Sequence, residues 1–222
     1  MMKPILFNTD MVQAILDGHK TVTRRVMKPQ PVRNGSLWEF GGAGWSDTIK
    51  RIIPIPCHSL YNRAPYRPGD VLWVRETWQF IPCIDCRLWD HEICSDIPTI
   101  YEDRDSISEG CFVYRSDYPE PERICWNPSI HMSRQAARIF LQVTGVYVER
   151  LRDISKDPPG PENQVVREGF KYECDFIAGW ESTIKPADRA IYGWDANPWV
   201  WVIEFKPISK EEALRDHKIQ NP

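Results

Sequence analysis

A chain of 222 residues can bury one sizeable core, either as a single domain or as a small domain with long insertions, and two complete independent domains would each be small. A formal charge of -3 excludes a surface that is basic throughout, so any grip on nucleic acid has to be a local cleft. Seven scattered cysteines, an odd number, argue against a secreted disulfide scaffold, and Asp10 and Asp17 interrupt the opening before any apolar run. The expectation is a cytoplasmic chain with reduced thiols and no membrane partner. Its ten tryptophans read mainly as core anchors or loop clamps, with a minority able to stack on a planar ligand.

In chain order, Ile5 and Phe7 lie on an incoming strand, and Met11, Val12, Ile15 and Leu16 on the inner side of a helix that Asn8, Thr9 or Asp10 can cap. Gly18 ends that helix in a left-handed conformation. "KTVTRRV" follows as a strand, with Thr21, Thr23 and Arg25 on one side and Val22, Arg24 and Val26 on the other. The proline- and glycine-rich residues after it read as an irregular excursion, with a short edge strand in "IKRIIPIP". In "YRPGDVLWVRETW", Pro68, Gly69 and Asp70 make a turn, and Val71 to Val74 begin a buried strand that delivers Arg75 and Glu76. Residues 79–125 are the least periodic, with a hairpin expected around "GCFVYRSD". Order returns with a short helical turn at Ser133 to Arg138 and a strand at Ile139 to Val148. Prolines 158, 159 and 161 delay a helix that runs to Glu168; another covers 173–184. In the turn "GWDANP", Asp195 and Asn197 can satisfy their own backbone before a last strand, "WVWVIEFKPI". Residues from 209 onward read as a peripheral tail.

Four groups can carry chemistry. A threonine hydroxyl needs a base, and Lys20 serves Thr23 only if desolvation or neighbouring positive charge lowers its pKa; Arg24 and Arg25 offer that charge, and also planar donors for a phosphate. The competing reading is a solvated basic strand edge. Arg75, Glu76 and Trp78 make either a structural ion pair under an indole or a ligand contact. Ser129, His131 and Arg134 combine a hydroxyl, an imidazole and a guanidinium on one irregular segment, where a histidine is as readily a hydrogen-bonded structural group. Cys83, Cys86, His91 and Cys94, in "CIDCRLWDHEIC", suit a tetrahedral structural zinc, with Cys111 or Cys125 able to replace His91, against the plainer reading of reduced thiols.

"ILDGHKTVTRR", "RPGDVLWVRETW", "NPSIHMSRQAARIFLQVTGV", "REG" and "WVIEF", in that order, resemble the ASCH family, and in particular its longer phage and prophage members. The resemblance implies an α+β fold of the PUA-like superfamily: a small, strongly curved β-barrel with flanking helices. One domain would then cover 1–208, with irregular insertions at about 29–65 and 79–123, the second a long cysteine-containing one, and a peripheral tail at 209–222. Small ASCH proteins that remove the acetyl group of N4-acetylcytidine draw a lysine, a threonine and a glutamate from segments matching Lys20, Thr23 and Glu168. The implied roles are a lysine-activated Thr23 nucleophile and a Glu168 that moves protons or orients the leaving base, with no cofactor required. This chain departs from those enzymes in its length, its prolines before Glu168 and its insertion.

Three functions follow as expectations. The first is recognition of RNA, single-stranded nucleic acid or a modified nucleoside in a basic cleft, with Arg24, Arg25, Arg75 and Arg134 on phosphate and aromatic cover on a base. Deacylation of an N4-acylated cytidine is the second. A phage structural or host-interaction factor is the third, in a bacterial host cell if the chain is phage-encoded.

Overall fold

The computed structural model describes residues 2–46, 48, 49, 51–54, 59–83, 99–103, 106–118, 124–156 and 163–220. Contacts divide the chain into two compact units, one of Ala14–Val71 and Leu141–Ile208, the other of Met2–Gln13, Leu72–Phe140 and the residues from Ser209 on. The strands form three separate sheets, none closed into a barrel or strongly curled, so the expected PUA-like curved β-barrel is not what this sequence builds; the α+β composition stands.

In the first unit, strands β10 (Phe140–Arg150), β11 (Trp199–Ile208) and β2 (Val22–Val26) lie side by side in that order. β2 runs antiparallel to β11, with Arg24 opposite Val202 and Thr23 opposite Ile203. Alternation then sends Val22, Val26, Val200 and Val202 to one face, where they join Tyr147, Leu151 and Ile154. Helices α3 (Gln164–Arg167) and α4 (Glu173–Thr183) cover that face with Val165, Phe176 and Trp180. β2 is the last strand of its sheet, and a barrel would need another strand paired along its outer side. On its outer side the Val22 carbonyl is taken by the Lys20 side chain at 2.9 Å, and just before the strand the Thr21 amide donates to Arg167 O at 2.8 Å.

The excursion at 29–65 is more regular than its composition implies. β3 (Val32–Asn34), β4 (Leu37–Phe40) and β5 (Ala43–Ser46) form an antiparallel sheet whose reversals fall at Gly35, Gly41 and Gly42, all with positive φ. Ile52 makes an isolated antiparallel bridge with Val148 in place of the edge strand expected there.

In the second unit, β1 (Met2–Leu6) neighbours β6 (Val71–Arg75), and helix α1 (Thr9–Leu16) is capped by Asn8, whose Oδ1 accepts from Met11 N at 2.9 Å. Leu16, expected inward, is exposed. Strands β7 (Trp78–Pro82), β9 (Ser106–Tyr114) and β8 (Thr99–Asp103) form a sheet in the order β7-β9-β8. "GCFVY" is the last part of the central strand β9, which pairs antiparallel with β8 as the expected hairpin does and with β7 on its other side; Cys111 and Val113 are buried on one face and Phe112 packs with Trp78, Phe80 and Tyr101 on the other. Residues from Lys210 form helix α6 (Lys210–Gln220), in which Ala213 is buried.

Candidate functional site

Lys20 owes its position to the way α1 stops. Gly18 takes a φ of 75°, and the amides of His19 and Lys20 both donate to Ala14 O at 2.9 Å, so the chain folds back across the helix end before entering β2. Opposite it, Asn163 caps α3 by accepting from Val165 N at 2.8 Å, Glu168 closes the helix, and Gly169 turns away with a φ of 90°. A Cβ at Gly169 would lie 3.4 Å from Lys20 Cβ and 2.8 Å from Ala14 Cβ, so only glycine lets the two segments meet this closely.

Where they meet, Lys20 Nζ donates to Glu168 Oε2 at 2.8 Å, to Glu168 O at 2.7 Å and to Val22 O at 2.9 Å. Arg24 adds a second cation: its Nη1 donates to Glu168 Oε1 at 3.0 Å, while Nε and Nη2 reach Glu149 Oε1 at 3.1 and 2.6 Å, and Nη2 approaches Gln164 Oε1 at 3.4 Å. Lys20, Arg24, Glu149 and Glu168 are all less than 5 % exposed. Two cations and two anions balance, which is the condition for holding four charges out of water.

Burial pulls the Lys20 pKa below its ordinary 10.5; Glu168 opposes that pull, and Arg25 and Arg24 add to it. Burial also pushes the Glu149 carboxyl upward, against the attraction of Arg24. For Arg24 itself, burial disfavours the charge but Glu168 and Glu149 outweigh it, and the pKa rises. Tyr147, two residues before Glu149 on β10, is pushed up to about 12 by burial with Glu149 adding to it. Its buried hydroxyl has no hydrogen-bond partner among the described residues. Arg51 lies over its ring at 4.1 Å.

Thr23 and Arg25 occupy the other face of β2 from Arg24. Thr23 is buried, and its hydroxyl makes no hydrogen bond among the described residues. Arg25 is half-buried, its pKa lowered by burial, with Tyr66 and Glu168 pulling it back. The structure therefore brings Lys20 and Glu168 into contact and sets Thr23 one peptide bond beyond the carbonyl that Lys20 holds. Arg24, expected on a phosphate, faces inward on carboxylates.

Arg75, Glu76, Trp78, Ser129, His131 and Arg134 belong to the second unit. Arg75 Nε donates to Met132 O at 3.1 Å and its Nη2 to Ile130 O, so this guanidinium clamps the turn Ser129–His131. His131 and Arg134 are exposed and Ser129 is half-buried. Glu76, buried, accepts from Arg138 Nε and Nη2, each at 3.1 Å, and from Ser116 Oγ at 3.1 Å. Arg138 also bonds Asp117 at 2.7 and 2.9 Å and lies 4.0 Å over the Tyr114 ring. Arg138 and Tyr114 line a cavity of about 280 Å³ together with Cys111, Gln135 and Lys210. Trp78 is buried under Tyr101 and Phe112.

Of the proposed zinc ligands, Cys83 is half-buried, and Cys86, His91 and Cys94 lie outside the described residues. Among the described residues no group of three or more His, Cys, Asp or Glu side chains is placed to hold a metal ion. Asp195 and Asn197 serve Arg152 rather than their own turn: Asn197 Oδ1 accepts from Arg152 N and Asp195 Oδ1 from Arg152 Nη2.

Sequence reasoning missed Glu149, Gln164 and Arg138. The signal for Glu149 was an acid on the apolar side of an alternating strand, in phase with Tyr147. No helix among the described residues is long and apolar enough to cross a membrane. Comparison with family models, curated proteins and solved structures finds no match for this chain.

Proposed function

We propose that this chain is an ASCH-type amidohydrolase that removes the acyl group from an N4-acylated cytidine, with Lys20, Thr23 and Glu168 as its reacting groups. The observation that carries the reading is the 2.8 Å contact between Lys20 Nζ and Glu168 Oε2, two buried groups drawn together from chain positions 148 apart. In a dry site a proton shared across that contact can move to the carboxylate, leaving an amine and a carboxylic acid. The amine then takes the Thr23 Oγ proton as Oγ bonds to the acyl carbon. Glu168 gives its proton to N4 as the C–N bond breaks, and the pair is again ammonium and carboxylate. After a second transfer within the pair, water attacks the threonine ester and its proton goes to the Lys20 amine; Glu168 gives its proton to Oγ as the C–Oγ bond breaks and the acid leaves, and the pair is once more ammonium and carboxylate. Arg25 supplies positive charge on the Thr23 face of β2, where the oxyanion would develop.

The test is acetate release from N4-acetylcytidine by the wild type and by Thr23→Val. Valine keeps the shape of a side chain whose hydroxyl makes no hydrogen bond among the described residues, so the variant should melt within about 1 kcal/mol of the wild type and release no acetate. A Thr23→Val protein that works at the wild-type rate overturns the assignment, and a wild type that releases none overturns the substrate.

A second reading, binding of RNA or a modified nucleoside without turnover, draws on a different observation. All three Lys20 donors already have acceptors. It predicts saturable, salt-sensitive binding with no product.

A further inference from the structure

We propose that Glu149 is a positioning residue that keeps the Lys20–Glu168 contact in being by holding Arg24 away from one of the two Glu168 oxygens. The inference rests on the hydrolase reading of this site. A guanidinium and a carboxylate left to themselves pair through two parallel hydrogen bonds, which would occupy both Glu168 oxygens. Here that pairing does not form. Arg24 Nε and Nη2 are both on Glu149 Oε1, at 3.1 and 2.6 Å, and Nη2 leans toward Gln164 Oε1 at 3.4 Å. Only Nη1 remains for Glu168, and it takes Oε1 at 3.0 Å. Oε2 is thereby left to Lys20 at 2.8 Å. The register of the sheet makes the arrangement stiff: Arg24 sits opposite Val202 on a face packed with Val22, Val26 and Val200, so its head can turn only among the three polar side chains that meet it.

Two consequences can be separated by experiment. Glu149→Gln weakens the hold on Arg24 and leaves the cluster of Lys20, Arg24 and Glu168 with one surplus positive charge. Arg24 should swing onto both Glu168 oxygens, and Lys20, losing its partner beside an unbalanced cation, should release its proton at lower pH. Adding Arg24→Gln to that variant removes the competitor and restores charge balance. The Lys20–Glu168 contact should then return although two of the four charged groups are gone.

The measurements are the pH profile of kcat and KM on N4-acetylcytidine, and a nitrogen-15 NMR titration of Lys20 Nζ, for the wild type, Glu149→Gln and the double variant. We expect Glu149→Gln to lose about 100-fold in kcat with KM kept, as for a displaced reacting group. Its Lys20 titration should move to lower pH, and the double variant should recover both. A Glu149→Gln protein with wild-type kcat and Lys20 titration overturns the proposal, and so does a double variant as impaired as the single one. If the wild type turns over no substrate, the hydrolase reading falls and the Lys20 titrations alone judge the positioning. If Glu149→Gln does not fold, the double variant decides: Lys20 titrating as in the wild type sustains the proposal, and a displaced titration overturns it.

Discussion

Gly169 shows how much of the site depends on an atom that is missing. Its φ of 90° lies where a side chain is strained in any surroundings, and a Cβ there would also press on Ala14 and Lys20. Gly169→Ala should therefore destabilise the chain by about 1–3 kcal/mol, read as a lower urea midpoint with unchanged slope. Gly18 has the same kind of φ with nothing within 4 Å of its Cβ position, so alanine there carries the conformational cost alone. The contrast between the two positions tests whether crowding at Lys20, and not only backbone geometry, fixes the glycine. Glu149 teaches the complementary lesson at the same scale. Its side chain looks like an ordinary surface acid until the strand phase places it with Tyr147 on the core face.

Among the elements, α6 is the one whose chemistry was written most plainly and read least well. Ser209 and Glu212 bond each other's backbone amides, Glu212 N to Ser209 Oγ at 3.1 Å and Ser209 N to Glu212 Oε2 at 2.9 Å. This is the reciprocal cap of a Ser-x-x-Glu start. Ser209→Ala should cost about 1 kcal/mol and lower the helical signal in thermal melts monitored by circular dichroism. The charge of that segment hid the cap and suggested a tail. In the same way Gly35-Ser36, the two residues between the paired Asn34 and Leu37, is a hairpin signal that the surrounding prolines obscured. Strands β6, β10 and β11 were legible because branched apolar runs leave little choice of state. Lys20 was legible as an amine close to the Thr23 hydroxyl and the charges of Arg24 and Arg25. Its partner Glu168 came only from resemblance, and Arg24's partners Glu149 and Gln164 from neither, since no local pattern records a contact across 125 or 140 residues.

For the whole molecule, the buried charges give stability an unusual dependence on pH. Glu149 and Glu76 have pKa values raised above the ordinary 4.5, chiefly by burial, so between that value and the raised one the folded chain binds more protons than the unfolded chain. Their contribution is fully present below 4.5 and is lost as the pH rises through the folded pKa. Lys20 is lowered from 10.5, so below that value the unfolded chain binds the more protons, and stability rises with pH across that window. These groups together should make the chain least stable between the two windows, where all are ionised. Urea titrations across pH should show the acid side of that dip, and Glu76→Gln should flatten part of it. Each unit is assembled from separate stretches of chain, Ala14–Val71 with Leu141–Ile208 and Met2–Gln13 with Leu72–Phe140, so neither forms before distant segments have met.

The last strand of a sheet is ordinarily a template on which another chain can add and aggregate. On β2 the first outward carbonyl of that template, Val22 O, is already taken by Lys20. The lysine proposed as a reacting group thus also occupies a carbonyl that an added strand would need, and light scattering from concentrated Lys20→Ala protein, against the wild type, would show whether losing it promotes association.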